Sequence, residues 1–281
     1  MDSTSRRRRI LQSYSRGACL LVCFAAACND ATGPDHPPIS VARVAVGADS
    51  GSVFRTLNIT LPDPSAIQVD YWGNGGERLR VIDASPATEH SIFLPALRAN
   101  TTYWYEVRRQ SRGWPQSPIA RGVLTTDSLP TDLASVQFTV SGTPSHRLAM
   151  LELRGTPFSG YVVVDDEGYV VWFRRGVAES FARRANGHFV FLESRTGLIE
   201  TRPDLAEVAR LPATPEMSMH HDVISTPANT LLFLTTDPFE YQDSTWVGDA
   251  VWEWNPETGT SVRRWVARDF LSPDADLVRS Q

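Results

Sequence analysis

From Gly160 onward the chain repeats one device: a short apolar strand, a turn rich in Asp, Asn and Gly, and a return strand carrying Val, Phe or Trp. GYVVVDDEGYVVWF (Gly160–Phe173) is the plainest copy. ANGHFVFLES (Ala185–Ser194) with GLIETRPDLAEVARL (Gly197–Leu211), then DVISTPANTLLFLTTD (Asp222–Asp237) and DAVWEWNPETGTSVRRW (Asp249–Trp265), follow it. A single hairpin cannot cover its own apolar faces. Units of two hairpins, about 40–50 residues each, cover one another when they stack as blades of a β-propeller. The alternative is a further sandwich; Trp172, Trp252, Trp254 and Trp265 favour blades, because large flat rings fill the gap between stacked sheets.

Ahead of the repeats, residues 39–127 alternate apolar and polar positions in VARVAV (Val41–Val46), IQVDYW (Ile67–Trp72), RLRVI (Arg78–Ile82) and TYWYEVR (Thr102–Arg108). LPDPS, GNGGE and RANT separate them as turn-forming clusters. Period-two alternation at this spacing reads as a β-sandwich. Leu97 stands six residues before Tyr103, which resembles the tyrosine corner of fibronectin type III domains; the resemblance implies a Tyr103 hydroxyl bound back to the turn backbone. Residues 128–144, with small residues and prolines, read as a linker. The expected fold is therefore all-β: an N-terminal β-sandwich over 39–127, then a partial propeller over 145–281. That second span has room for about three blades, and a propeller needs about four to close. The expectation is a fragment or a natural remnant.

The N-terminus reads as an address. Arg6, Arg7, Arg8, Arg9 and Arg16 precede an uncharged run, Ala18–Ala27, which is about half the ~20 residues that cross a bilayer. Residues 1–27 are thus expected to be a signal peptide and 28–38 a tether. FAAAC ending at Cys28 is similar to a bacterial lipoprotein signal, which implies an exported chain anchored to the membrane by lipid on Cys28; plain secretion to the periplasm or exterior is the alternative. Removal of 1–27 takes away five arginines and one aspartate and moves the net charge from −5 to −9. So acidic a body is a poor partner for nucleic acid.

The chemistry open to the chain is narrow. It has no lysine, which excludes Schiff-base and phosphate-loop lysines, and no cofactor is expected. Its three cysteines, Cys19, Cys23 and Cys28, all lie in the first 28 residues, so thiol catalysis and disulfides within the mature body are excluded. Of six histidines, the adjacent pair in Met217-Ser-Met-His220-His221-Asp222-Val223 stands out at the start of a blade-like strand. Strict alternation would turn His220 and His221 to opposite sides, with only one facing a central channel. Asp222 is placed to set the tautomer of a nearby ring. A metal site on this pair is disfavoured by the same divergence. His188, His36, His90 and His146 read as surface or structural, and Arg174, Arg175, Arg183 and Arg184 as a solvated face.

The His-His-Asp-Val run resembles the bacterial arylsulfotransferase (aryl sulfate sulfotransferase) family. Asp165-Asp-Glu-Gly168-Tyr-Val-Val-Trp172, Asn186-Gly-His-Phe-Val-Phe191 and Asp249-Ala-Val-Trp-Glu-Trp254 are similar to further hairpins of that family, so the resemblance runs from Ser145 to Phe270. It implies a propeller of six blades, of which this span would be about three, and sulfuryl transfer from a phenolic sulfate ester to a phenol through a sulfo-histidine, without a nucleotide. One of His220 and His221 would then assist. The attacking histidine and an arginine would belong to blades beyond these 281 residues, and this form of the chain would be inactive or incomplete. The alternative is a non-catalytic exported propeller lipoprotein that binds a ligand or protein.

Overall fold

Two prolines shape the first sheet. In β2 (Arg55–Gly73) the residues Leu57, Ile59 and Leu61 point into the core, as do Ile67, Val69 and Tyr71 further on. Between them lie Pro62 and Pro64, which have no N–H to give a ladder. Pairing with β3 (Leu79–Leu94) therefore slips, from Thr60 opposite Glu89 to Ser65 opposite Ala87 and Ile67 opposite Asp83. LPDPS, expected as a turn, is instead a bulged stretch inside one long strand, and bulges bend strands.

The bend lets the hairpin serve two half-sheets. The first half of β2 pairs with β1 (Arg43–Gly47) and the end of β3; its second half pairs with the start of β3 and with β4 (Thr102–Arg109), which pairs with β5 (Ala120–Thr125). The result is one curled five-stranded sheet whose halves close on a shared core. At its turn the Tyr103 hydroxyl accepts the Arg98 N–H at 2.8 Å, the contact the Leu97–Tyr103 spacing predicts. Residues 43–47, 53–110, 117–177, 179–193 and 196–272 are described in this computed structural model, and residues 39–281 form one unit. The expected signal peptide and tether, with Cys28, lie outside the described residues. Among the described residues no helix is long and apolar enough to cross a membrane.

Three antiparallel meanders follow. The first is β6 (Leu148–Leu153), β7 (Gly160–Asp165) and β8 (Val170–Arg175). The second is β9 (Ser180–Arg183), β10 (Phe189–Glu193), β11 (Gly197–Thr201) and β12 (Glu207–Pro212); the third is β13 (Met219–Ser225), β14 (Leu231–Tyr241), β15 (Ser244–Asn255) and β16 (Thr260–Val266). These are the expected hairpins, now seen as propeller-like blades. In the first, the Asp165 carboxylate accepts the N–H groups of Glu167 and Tyr169, and Gly168 takes the left-handed φ of 89° that closes the turn.

Aromatic rings fill the seams, as the tryptophans predict. Trp172 of the first blade stacks on Phe191 of the second at 6.1 Å and donates its indole N–H to the Pro203 carbonyl. Trp254 is fully buried in the core shared by the second and third blades. Trp265 differs: it stacks on Phe270 at 5.7 Å, outside that core. Part of the 128–144 segment, Leu129 to Phe138, packs on the first blade, while residues 139–144 are exposed. A one-turn helix, α1 (Thr131–Ala134), drives Leu133 to zero exposure among Val53 and the first-blade residues Phe158 and Phe173.

Candidate functional site

The site grows from a defect in β13. Met219 pairs with Thr235 and His220 with Leu234, but the next pair is Val223 with Phe233, so His221 and Asp222 are looped out of the ladder. Buried Met219 and Val223 pin both sides of this bulge in the core between the second and third blades. His221 takes a left-handed φ of 62°, a conformation that costs a non-glycine residue about 1–2 kcal/mol.

The bulge overturns the expected alternation. His220 and His221 do not diverge: their rings meet edge to face at 4.8 Å, and the two Nδ1 atoms lie 2.6 Å apart. A contact this short needs one Nδ1–H and one lone pair, so the rings share a hydrogen bond and adopt matched tautomers. The His220 ring is mostly buried; His221 is exposed.

Asp222 does not set a tautomer. Its Oδ1 accepts the Ser180 hydroxyl at 2.8 Å and the Val223 N–H at 2.8 Å, so it caps the bulge and ties β13 to β9. The carboxylate beside the pair is Asp249 of β15, whose Oδ1 is 3.3 Å from His220 Nε2. That nitrogen is buried and lies off the line of a formed hydrogen bond, so the contact is chiefly electrostatic. Glu179 holds the strained residue, accepting the His221 N–H on Oε1 at 3.2 Å; its Oε2 is buried with no partner among the described residues. Glu179 is itself anchored, since its N–H donates to the hydroxyl of fully buried Tyr161. Burial pushes that phenol up to about 12, so it stays a neutral donor toward the carbonyls of Ser180 and Leu192.

Neither Glu179 nor Ser180 carries a sequence signal, because each reaches the pair from another blade. Asp249 stood out in the sequence only as the first residue of a tryptophan strand. Arg174 and Arg184, read as part of a solvated face, are structural: Arg174 pairs with Glu193 at 2.5 Å over the Phe191 ring, and Arg184 is buried on Glu200 at 2.6 Å. Arg175 and Arg183 remain exposed. His188 is not a free surface residue either, with Nδ1 2.7 Å from Glu200. His90 is buried between Asp83 and the Ala87 carbonyl, His146 is exposed, and His36 lies outside the described residues.

A cleft of about 700 Å³ opens elsewhere, between the first sheet and the first blade, lined among others by Tyr71, Arg98, Arg147 and Asp165. Its arginines are already paired, Arg98 with Asp165 and Glu167 and Arg147 with Glu77, and it does not reach the histidines. The chemistry sits instead at the β13 bulge. There a ring nitrogen meets solvent beside a second ring and a carboxylate, an arrangement suited to moving a proton or steadying an anion.

Among curated proteins none matches the chain. The family profile of Arylsulfotransferase (ASST) matches residues 135–281, just over half of the chain, including all three blades and the histidine pair. Aryl sulfates and phenols are the substrates that this family implies in general. The chain belongs to the arylsulfotransferase family.

Proposed function

We propose that the chain serves sulfuryl transfer from a phenolic sulfate ester to a phenol through a sulfo-histidine, with one of His220 and His221 assisting rather than attacking. The observation that carries this reading is the ring-to-ring contact at the β13 bulge, inside the family-matched segment. Sulfuryl transfer resembles phosphoryl transfer: charge spreads over peripheral oxygens, and catalysis rests on positioned donors and on proton control at the two phenolic oxygens. An exposed imidazole held by a second ring suits both tasks. The protein acts outside the cytoplasm, carried there by the signal at residues 1–27 and held by lipid on Cys28, with the first sheet as a fibronectin type III-like spacer. The strand order of that sheet and the Tyr103 turn support the spacer.

The test is a titration of the protein with phenyl sulfate, followed through the ring signals of His220 and His221. Saturable shifts of both rings are expected, and His221→Ala should weaken binding by about tenfold or more, the worth of one hydrogen bond to a charged group. Ring signals that stay put up to millimolar ester overturn the reading.

A further inference from the structure

We propose that Asp249 and His220 form a positioning relay that fixes the tautomer of His221 and leaves its Nε2 unprotonated, as the base that takes the proton of an acceptor phenol. The last step rests on the sulfuryl-transfer reading; the relay does not.

Two arrangements satisfy the 2.6 Å Nδ1–Nδ1 contact: His220 donates to His221, or His221 donates to His220. Asp249 decides between them. If His220 donated from Nδ1, its neutral ring would leave a lone pair on Nε2 only 3.3 Å from the Asp249 carboxylate, two negative centres side by side. With the proton on Nε2 the same approach is attractive. His220 Nδ1 then bears the lone pair, His221 Nδ1 must carry the proton, and His221 Nε2 is left as an acceptor on an exposed ring. Glu179 adds the second constraint, accepting the His221 backbone N–H and holding the left-handed turn that brings the rings together. The ionisable groups facing the pair are Asp249 from β15, Glu179 from the approach to β9, and Asp222 on β13, which is engaged with Ser180 and Val223.

The proton balance closes. The phenol O–H bond breaks, its electron pair stays on oxygen, and the proton moves to His221 Nε2. The imidazolium so formed keeps its Nδ1–H on His220, and the positive charge is stabilised through that ring by Asp249. The phenolate then attacks the sulfur of the sulfo-histidine: the S–O bond forms, the S–N bond breaks and its electron pair returns to that imidazole, while His220 and Asp249 never touch the phenolate.

The test is a long-range proton–nitrogen spectrum of the uniformly labelled protein, at a pH alkaline enough that both rings are neutral. The expected result is an Nε2–H tautomer for His220 and an Nδ1–H tautomer for His221. In Asp249→Ala, an exposed substitution that leaves the amide spectrum dispersed, the carboxylate is removed and both preferences should be lost; Asp249→Glu should keep them. An Nε2–H tautomer for His221 in the unmodified protein, or Asp249→Ala spectra that keep both tautomers, overturns the relay. A second arm adds phenol, which should move the His221 Nε2 signal. If the tautomers are as expected and phenol leaves that signal unmoved, the relay stands and its role toward a phenol is overturned.

Discussion

The seam between β9 and β13 ends in a polar cluster on each side, and the two clusters are built differently. At the end formed by Arg184 and the β13–β14 hairpin, Glu200 is 1% exposed and accepts from Arg184 at 2.6 Å and faces His188 Nδ1 at 2.7 Å. Arg184 also reaches the Asn229 carbonyl at 2.8 Å and Glu257 at 3.0 Å, so one guanidinium joins the turns of two blades. At the other end, Glu179 and Ser180 face His220, His221 and Asp222. Here one carboxylate oxygen is buried and unpartnered, a backbone residue is strained, and a histidine stands in solvent. Both ends pair imidazole with carboxylate. The first end also has unpartnered atoms, Arg184 Nε and Asn229 Oδ1, and a left-handed residue, Asn229 at φ 61°, but asparagine tolerates that conformation and the guanidinium is committed to holding the blades; at the second end the strained residue is a histidine whose ring stands in solvent.

The largest effect expected from this contrast is at the closed end. Arg184→Ala strips Glu200 of its main cation while leaving the carboxylate buried. Breaking a buried pair in this way costs about 3–5 kcal/mol, and the remaining contacts from His188 and Asn186 place the loss near the lower figure. Chemical denaturation measures it. A loss below about 1 kcal/mol would mean that the closed end carries no more of the fold than the open one, and the contrast would fail.

The open end should respond in the opposite sense. His221→Gly removes an exposed side chain and relieves a left-handed φ at about 1–2 kcal/mol, while the freer unfolded chain takes back about 0.5–1 kcal/mol. The hydrogen bond to His220 that is lost with the ring costs about 1 kcal/mol more, so stability should stay close to that of the parent, and His221→Ala, which keeps the strain, should be less stable than His221→Gly by about 1 kcal/mol. The comparison needs only thermal melts of the two variants side by side. If alanine equals or exceeds glycine, the bulge is not strained and His221 is held by its side chain.

Sequence reading reached the two ends unequally, for physical reasons. Strands, hairpins and seam-filling tryptophans are local patterns, so alternation around Gly168, Gly187 and Asn229 places them, and the Leu97–Tyr103 spacing foretells a hydrogen bond five residues long. The His220–His221 pair is legible as a pair. Its geometry is not, because a bulge depends on which residues of β14 stand opposite, and that register is set by the burial of Met219 and Val223. Asp222 was assigned the tautomer role that geometry gives to Asp249, since adjacency in sequence says nothing about a carboxylate arriving from two strands away. Arg184 was read as solvated for the same reason: Glu200 and Glu257 lie 16 and 73 residues further on. In the first sheet, a proline pair read as a turn because local chemistry cannot reveal that the strand continues beyond it.

The smallest effect sharpens the contrast by acid titration. Near the closed end, Glu253 accepts the Thr230 hydroxyl at 2.5 Å and Arg264 at 2.6 Å, and these contacts, the hydroxyl first, hold its carboxyl below the usual value of 4.5. A group whose folded pKa lies below its unfolded value stabilises the protein above the unfolded pKa, and that contribution is lost as pH falls from 4.5 through the folded value. Glu253→Gln should therefore flatten the decline of unfolding free energy below about pH 4.5 and leave neutral pH nearly unchanged, because the side chain lies where solvent screens it. Unfolding curves collected from pH 7 downward check it: a limb below pH 4.5 as steep in Glu253→Gln as in the parent would mean that the acid-sensitive contact lies elsewhere than at this side chain.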